Sequence, residues 1–194
     1  MKNLMKSIRI TLVFCLFFAV FYILILLIFA HFAGPGKDGN AETVTLNGKV
    51  VGVANVGQTF TKDIFFWGRP SCAGNGYDAS SSAGSNKGPS NKEYLAEVEA
   101  RIDTFLVHHP YLSRKEVPAE MVTASASGLD PDITPESAYV QVKRVASARR
   151  MNEAKVKGIV AKAIEKPLLG LFGPAKVNVL KLNVALEEIN PTIK

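Results

Sequence analysis

Hydrophobic residues are distributed along this chain in two ways. From Ile10 to Ala30 they run without a single charged side chain, a stretch that spans about 30 Å as a helix, the thickness of a bilayer's hydrocarbon. After Gly34 they recur at strand or helix spacing between polar positions, the pattern of a domain with a wet side and a dry side.

Within that second part, Asn47-Gly48 sits between Val44-Thr45-Leu46 and Lys49-Val50-Val51, which predicts a hairpin over 43–53 with a type I′ turn. Ile64–Trp67 is a short apolar aromatic run closed by Gly68-Arg69-Pro70. Residues 71–90 form a long Gly/Ser/Asn loop without periodicity, either a plain linker or a working surface. Ser90-x-x-Glu93 reads as a capping box opening a helix whose apolar stripe is Leu95, Val98, Ile102 and Phe105. Thr134 and Pro135 open a second helix, with Ala138, Val142, Val145 and Ala146 inward. Asn152 caps a third, carrying Val156, Ile159, Val160 and Ala163 on one face. A short strand near 176–178 precedes a last helix with Leu182, Ala185, Leu186 and Ile189 buried.

The 21-residue apolar run is longer than the roughly 7–15 residues of a secretory leader, and His31-Phe32-Ala33 is a poor cleavage site, so it reads as a retained anchor. Lys2, Lys6 and Arg9 precede the run, whereas Lys37 and Asp38 nearly cancel after it. The positive-inside rule then puts the N-terminus in the cytoplasm and the bulk of the chain outside. The expected organisation is a cytoplasmic N-terminus (1–9), a transmembrane helix (10–32), a linker (33–42) and an extracytoplasmic α+β domain (43–194). This is an α+β outside domain tethered by one N-terminal transmembrane helix.

Charge changes the picture only slightly. The net charge is +6, with 23 basic and 17 acidic residues. Removing the three basic residues before the span leaves 20 against 17, too even for a nucleic-acid surface, and no aromatic residues interleave with basic ones. Seven basic residues and one acid, Glu153, lie between Lys143 and Lys162. They read as a solvated face, or as one that docks on lipid headgroups or an acidic partner. Cys15 falls in the span and Cys72 outside it, so they cannot pair within one chain; Cys72 reads as a small packed residue.

No catalytic set is visible. His108 and His109 point about 100° apart on a helix and have no further ligand at metal spacing, so they read as helix-end histidines. Gly84–Ser90 has a phosphate loop's composition but not its order. Asp130 and Asp132 flank Pro131 and read as turn formers before a general acid/base pair. These features favour an interaction role over catalysis.

Several blocks then carry a resemblance. They are Phe66-Trp67-Gly68-Arg69-Pro70-Ser71, Ser85-Asn86-Lys87-Gly88-Pro89-Ser90-Asn91, Val122 to Pro131 (VTASASGLDP), Arg144-Val145-Ala146 and Val177-Asn178-Val179-Leu180. In that order, behind an N-terminal anchor, they resemble the C subunits of bacterial Kdp potassium-transporting ATPases over essentially the full chain. Two positions depart. The family often has Pro after the Tyr of the span, where this chain has Tyr22-Ile23, and its Asp-Pro-His reads Asp130-Pro131-Asp132 here.

The resemblance implies an accessory subunit of a high-affinity, ATP-driven potassium importer. It is needed for assembly and proposed as a catalytic chaperone that raises the pump subunit's affinity for ATP. Its partners would be a channel-like subunit that carries the ion and a P-type ATPase subunit that uses ATP and Mg, besides membrane lipid; it would hold no cofactor itself. The chain lacks the Asp-Lys-Thr-Gly motif of the phosphorylated subunit, so catalysis would lie in another chain. Trp67, Arg69, Asn86, Ser125 and Asp130 are the expected partner contacts, with internal turn-making as the alternative; Arg69 would pair with a partner's carboxylate or staple its own loop. Two other classes share the outline. Pilin-like subunits have a Gly-Phe processing site and a Glu five residues into the span, both absent here, and an anchored exoenzyme would need a nucleophile–base pair.

Overall fold

The computed structural model describes residues 2–36 and 39–192, and the chain forms two compact units, Met1–Thr43 and Val44–Lys194. Lys37 and Asp38, on which the charge balance beyond the span draws, lie outside the described residues.

The first unit is one run of helix: α1 (Lys2–Phe17), a π-helical turn (Phe18–Tyr22) and α2 (Ile23–Ala33). Among the described residues its Asn3–Ala33 portion is the one helix long and apolar enough to cross a membrane. It begins well before Ile10 because nothing in Asn3–Arg9 breaks a helix, so the basic segment is its first two turns rather than a separate tail. It stops where Gly34 turns extended ahead of Pro35. Past Arg9 its surface is apolar nearly all round, as lipid requires.

The second unit opens with the hairpin β1 (Thr43–Leu46) and β2 (Lys49–Val53). Asn47 and Gly48 hold φ of +52° and +77°, the two left-handed residues of a type I′ turn. Val44 and Ala54 bury against Leu180, a small core of their own.

Helix α3 (Lys92–His108) is capped by Asn91, whose side chain accepts from the Tyr94 N–H at 2.9 Å, and not by Ser90. Ser90 is taken up in the turn that links the Gly88 carbonyl to the Asn91 N–H. The expected stripe is buried only at its end: Phe105 is 3% exposed, Val98 and Ile102 are half-buried, and Leu95 is 47% exposed. The first turns of α3 therefore leave the core. Helices α4 (Pro135–Arg149) and α5 (Glu153–Ala163) are capped by Thr134 and Asn152 as expected.

A three-stranded antiparallel sheet has the order β3 (Asp132–Ile133), β5 (Lys176–Asn178), β4 (Ile164–Glu165). At its centre the fully buried Val177 sits opposite Ile133 on one side and Ile164 on the other. Helix α6 (Val179–Ile189) follows directly, capped by Asn178, with Leu182 and Leu186 fully buried and Ile189 46% exposed. The main core joins α4, α5 and α6 to Phe66, Phe105 and Met121. A fully buried valine or leucine contributes about 1.5–3 kcal/mol, so this helical layer, and not the small sheet, carries most of the domain's stability.

Candidate partner interface

The run 63–67 begins in a turn closed by the Phe65 N–H on the Lys62 carbonyl and belongs to no strand, and buried backbone groups cannot be left unbonded. Side chains of α4 and α6 take the place of neighbouring strands. The Asn183 amide brackets Phe66, accepting from its N–H at 2.8 Å and donating to its carbonyl at 3.0 Å. The Gln141 amide does the same for Trp67, at 2.8 and 3.2 Å. Arg144 donates to the carbonyls of Asp63 and Phe65, and Arg149 to that of Ile64. Gln141, Arg144, Arg149, Asn183 and Glu187 are all buried.

Of these five, sequence reasoning marks Arg144, within a distinctive block and the basic stretch, and Arg149, within that stretch alone; Gln141, Asn183 and Glu187 are not singled out. A signal existed: Gln141 and Arg149 lie at i+3 and i+11 from Ala138, on the inward stripe itself. Arg144 and Arg149 face inward, so the stretch from Lys143 to Lys162 puts five basic side chains on the surface, not seven.

His108 and His109 join this network. The His109 Nδ1–H donates to the Phe105 carbonyl at 2.7 Å, and Nε2 accepts from the Arg144 Nε–H at 3.0 Å. Both nitrogens are thus used with the ring neutral, and burial, the largest cause, pushes its pKa down to about 4. His108, the last residue of α3, pairs with Asp63 at 2.8 Å. Among the described residues no three His, Cys, Asp or Glu side chains gather as a metal would need.

The two distinctive loop segments are zipped to each other. The Ser71 hydroxyl donates to the Gly128 carbonyl at 2.6 Å and accepts from the N–H groups of Ala73 and Tyr77. The Ser125 N–H donates to the Pro70 carbonyl, and the Ser82 hydroxyl to that of Ser127. Arg69 Nη1 meets Asp130 Oδ2 at 3.1 Å, while Asp130 Oδ1 accepts from the Asp132 N–H. Arg69 is thus the staple of its own loop, and Asp130 the turn former. The Tyr77 hydroxyl donates to the Arg69 carbonyl, and its pKa is pushed up to about 12, first by burial and then by Asp130.

Of the five expected contacts, Trp67, Arg69 and Asp130 are partly accessible, Asn86 is exposed in a left-handed turn (φ +50°), and Ser125 is buried at 3% exposure. The structure brings Trp67, Arg69, Ser125 and Asp130 into one region. Cys72 is half-buried with a free thiol. Asp132, at the position of the second departure, pairs with Lys176 at 2.7 Å while its Oδ1 is buried without a partner.

Between this zipped layer and α3 runs an open groove of about 460 Å³. Phe60, Trp67, Phe105 and Met121 give it apolar walls, and Arg69 and Arg101 put two guanidinium groups on its lining. Arg69 Nε is buried without a hydrogen-bond partner. Arg69 already pairs with Asp130 and Arg101 with Glu97 at 3.4 Å, so the groove is an apolar-walled cleft edged by two ion pairs.

The family described as "KdpC: K+-transporting ATPase, c chain" matches residues 4–188. A potassium-transporting ATPase KdpC subunit of Bacteroides fragilis is 78% identical over 97% of this chain and 98% of its own length. That of Bacteroides thetaiotaomicron is 78% identical over 97% and 99%, and that of Flavobacterium psychrophilum 52% identical over 97% and 100%. The match runs through the apolar helix, the zipped segments and the last helix alike, and the chain belongs to the KdpC family, the c chains of K+-transporting ATPases.

Proposed function

We propose that this chain is the accessory, non-catalytic subunit of an ATP-driven potassium import complex. In it a channel-like subunit carries the ion and a P-type ATPase subunit uses ATP and Mg. The observation that carries this reading is a family match that includes both anchor and domain, so that tether and body act as one part. The lack of an Asp-Lys-Thr-Gly motif supports placing phosphorylation in another chain.

The three basic residues ahead of the span favour an N-terminus in the cytoplasm and a domain on the opposite side. ATP is cytoplasmic, so a chaperone effect on ATP affinity works through the pump's conformation: the domain binds one state of its partners more tightly than the other. The domain caps the outer mouth of the channel-like subunit, with Trp67, Arg69, Asn86 and Asp130 on the side that meets it, Ser125 holding that layer from within, and the groove receiving a partner segment. The Ile10–Ala30 helix packs against the partners' membrane helices.

A pull-down of the tagged chain from potassium-starved membranes in mild detergent tests the assignment. Stoichiometric recovery of a P-type ATPase and a polytopic channel-like subunit is expected; recovery of the chain alone, with those partners expressed, would refute it. Deleting the domain and keeping the anchor should abolish growth at limiting potassium. Normal growth on the anchor alone would remove the capping role.

A further inference from the structure

The connection between β4 and β5 ends in an apolar tip that the core does not use. Leu168, Leu169, Leu171 and Phe172 are 70, 81, 80 and 63% exposed, and among the described residues of this unit no other large apolar residue exceeds Leu169 and Leu171. The tip is ordered by its own backbone. Leu168 and Phe172 exchange both N–H···O bonds at 3.0 Å, the Gly170 N–H donates to the Pro167 carbonyl, and the Leu171 N–H to that of Leu168. Leu169 holds φ of +55° and Gly170 +72°. Leucine is an unfavoured residue in the left-handed region, where Asn or Gly sits at ease. A polar residue would suit both this turn and its exposure, yet an apolar one is present.

Three observations say what covers the tip. First, its turn bonds four of its own N–H groups, those of Leu168, Gly170, Leu171 and Phe172, so an interfacial medium would demand fewer new backbone partners than an open loop does. Second, lysines flank its base: Lys162 and Lys166 are exposed, and the two acids there, Asp132 and Glu165, both pair with Lys176, whose side chain is 46% exposed. Apolar residues at the end and cations behind them make the profile of an element that lies in a membrane interface. Third, the domain is tied to a membrane-crossing helix by residues 34–43, which reach at most about 35 Å when extended. A domain of this size has a radius of gyration of about 15 Å, so the length of the connection is compatible with contact between the tip and the bilayer.

We propose that the Leu168–Phe172 tip inserts into the headgroup–acyl boundary of the membrane that holds the N-terminal helix, with Lys162 and Lys166 at the anionic headgroups. The inference rests on the anchor and not on the potassium complex, so either reading can fail without the other.

The test uses the full chain with Cys15→Ser and Cys72→Ala, carrying Leu169→Cys labelled with an environment-sensitive nitrobenzoxadiazole. It is reconstituted into phosphatidylcholine–phosphatidylglycerol vesicles with lipid spin-labelled near the headgroup. Leu171→Cys is labelled in parallel, in case substitution at the left-handed position disturbs the turn, and Val107→Cys, on the 76%-exposed Val107 of α3, is the control. Insertion predicts blue-shifted emission at 169 and 171, with quenching by the spin-labelled lipid at least about threefold that at 107. Labels open to aqueous iodide and unquenched by lipid would overturn the proposal. So would labels blue-shifted but reached by neither quencher in vesicles holding the partner subunits, because a protein would then cover the tip.

Discussion

The guanidinium of Arg144 lies over the ring of Trp67, 4.1 Å from its centre, while its N–H groups reach the carbonyls of Asp63 and Phe65, the Gln141 amide and His109 Nε2. One side chain thus fixes the aromatic run, the end of α3 and the face of α4. Burial lowers its pKa to about 10, which keeps it charged at neutral pH. A lysine has neither the plane to stack nor the fork to reach four acceptors. Arg144→Lys is expected to destabilise the domain by about 3–5 kcal/mol, read from denaturant midpoints of the full chain in micelles. A loss under about 1 kcal/mol would show that the network is not cooperative.

His109 makes stability depend on pH. Folded, it stays neutral down to about pH 4; unfolded, it takes a proton near the ordinary value of about 6.5. Between these values the unfolded state binds more protons, so stability is complete above about 6.5 and falls as the pH drops towards 4, by up to about 3 kcal/mol. His109→Gln should be less stable at pH 7 but lose this component of the slope. Parallel unfolding curves at pH 7, 6 and 5 for the two proteins measure it, and equal slopes would rule out His109 as the source.

Arg149 and Glu187 meet at 2.5 Å with side-chain exposures of 0 and 4%. Arg149→Met leaves a buried carboxylate and should cost about 3–5 kcal/mol. Adding Glu187→Leu should recover part of that loss, although Thr192 then gives up its bonds to Glu187. A double-mutant cycle on unfolding free energies reads the coupling, and strictly additive losses would deny it.

Gly128 holds φ of +69°, and a Cβ there would stand 2.6 Å from the Ala83 carbonyl oxygen and 2.7 Å from Ala73 Cβ. Gly128→Ala should cost about 2–4 kcal/mol and unzip the two loop segments. Proteolysis within 71–90, fast in the variant and slow in the parent, is the readout; unchanged cleavage would mean the zipper is held elsewhere.

Arg69 and Asp130 form a partly exposed pair, with side chains 24 and 30% accessible, worth about 0–1 kcal/mol to folding. Arg69→Gln combined with Arg101→Gln should lower the unfolding free energy by no more than about 1–2 kcal/mol while reducing recovery of partner subunits about tenfold. Full recovery would take the groove out of the interface.

Much of the fold was legible because it is written locally. The Asn47-Gly48 hairpin, the Thr134 and Asn152 caps and the inward stripes of α4 and α5 each follow from residues a few positions apart. The side-chain amides that flank Phe66 and Trp67 come from 117 and 74 residues away, respectively, and no local period records such a pairing. Leu95 shows the converse, since a correct stripe says which side of a helix is apolar but not how far its neighbour extends. At the candidate interface, the chain's distinctive blocks marked two loops, and the structure shows that they bond to each other, a pairing no local pattern records. Ser125 lies in a distinctive block because it closes the zipper, and Arg69 chose the internal one of its two expected partners.

The π-helical turn at Phe18–Tyr22 has its own consequence for the anchor. It ends at Tyr22, beside the position where the family often has proline, so this chain has a helix irregularity there without losing an N–H. One residue more in a turn shifts the angular phase of everything after it by about 100°. Side chains aligned along one edge of Lys2–Phe17 therefore do not continue along the same edge of Ile23–Ala33, and a straight neighbouring helix that follows one half must part from the other. The anchor therefore presents two offset lines of side chains, one in each half of its length, to whatever surrounds it.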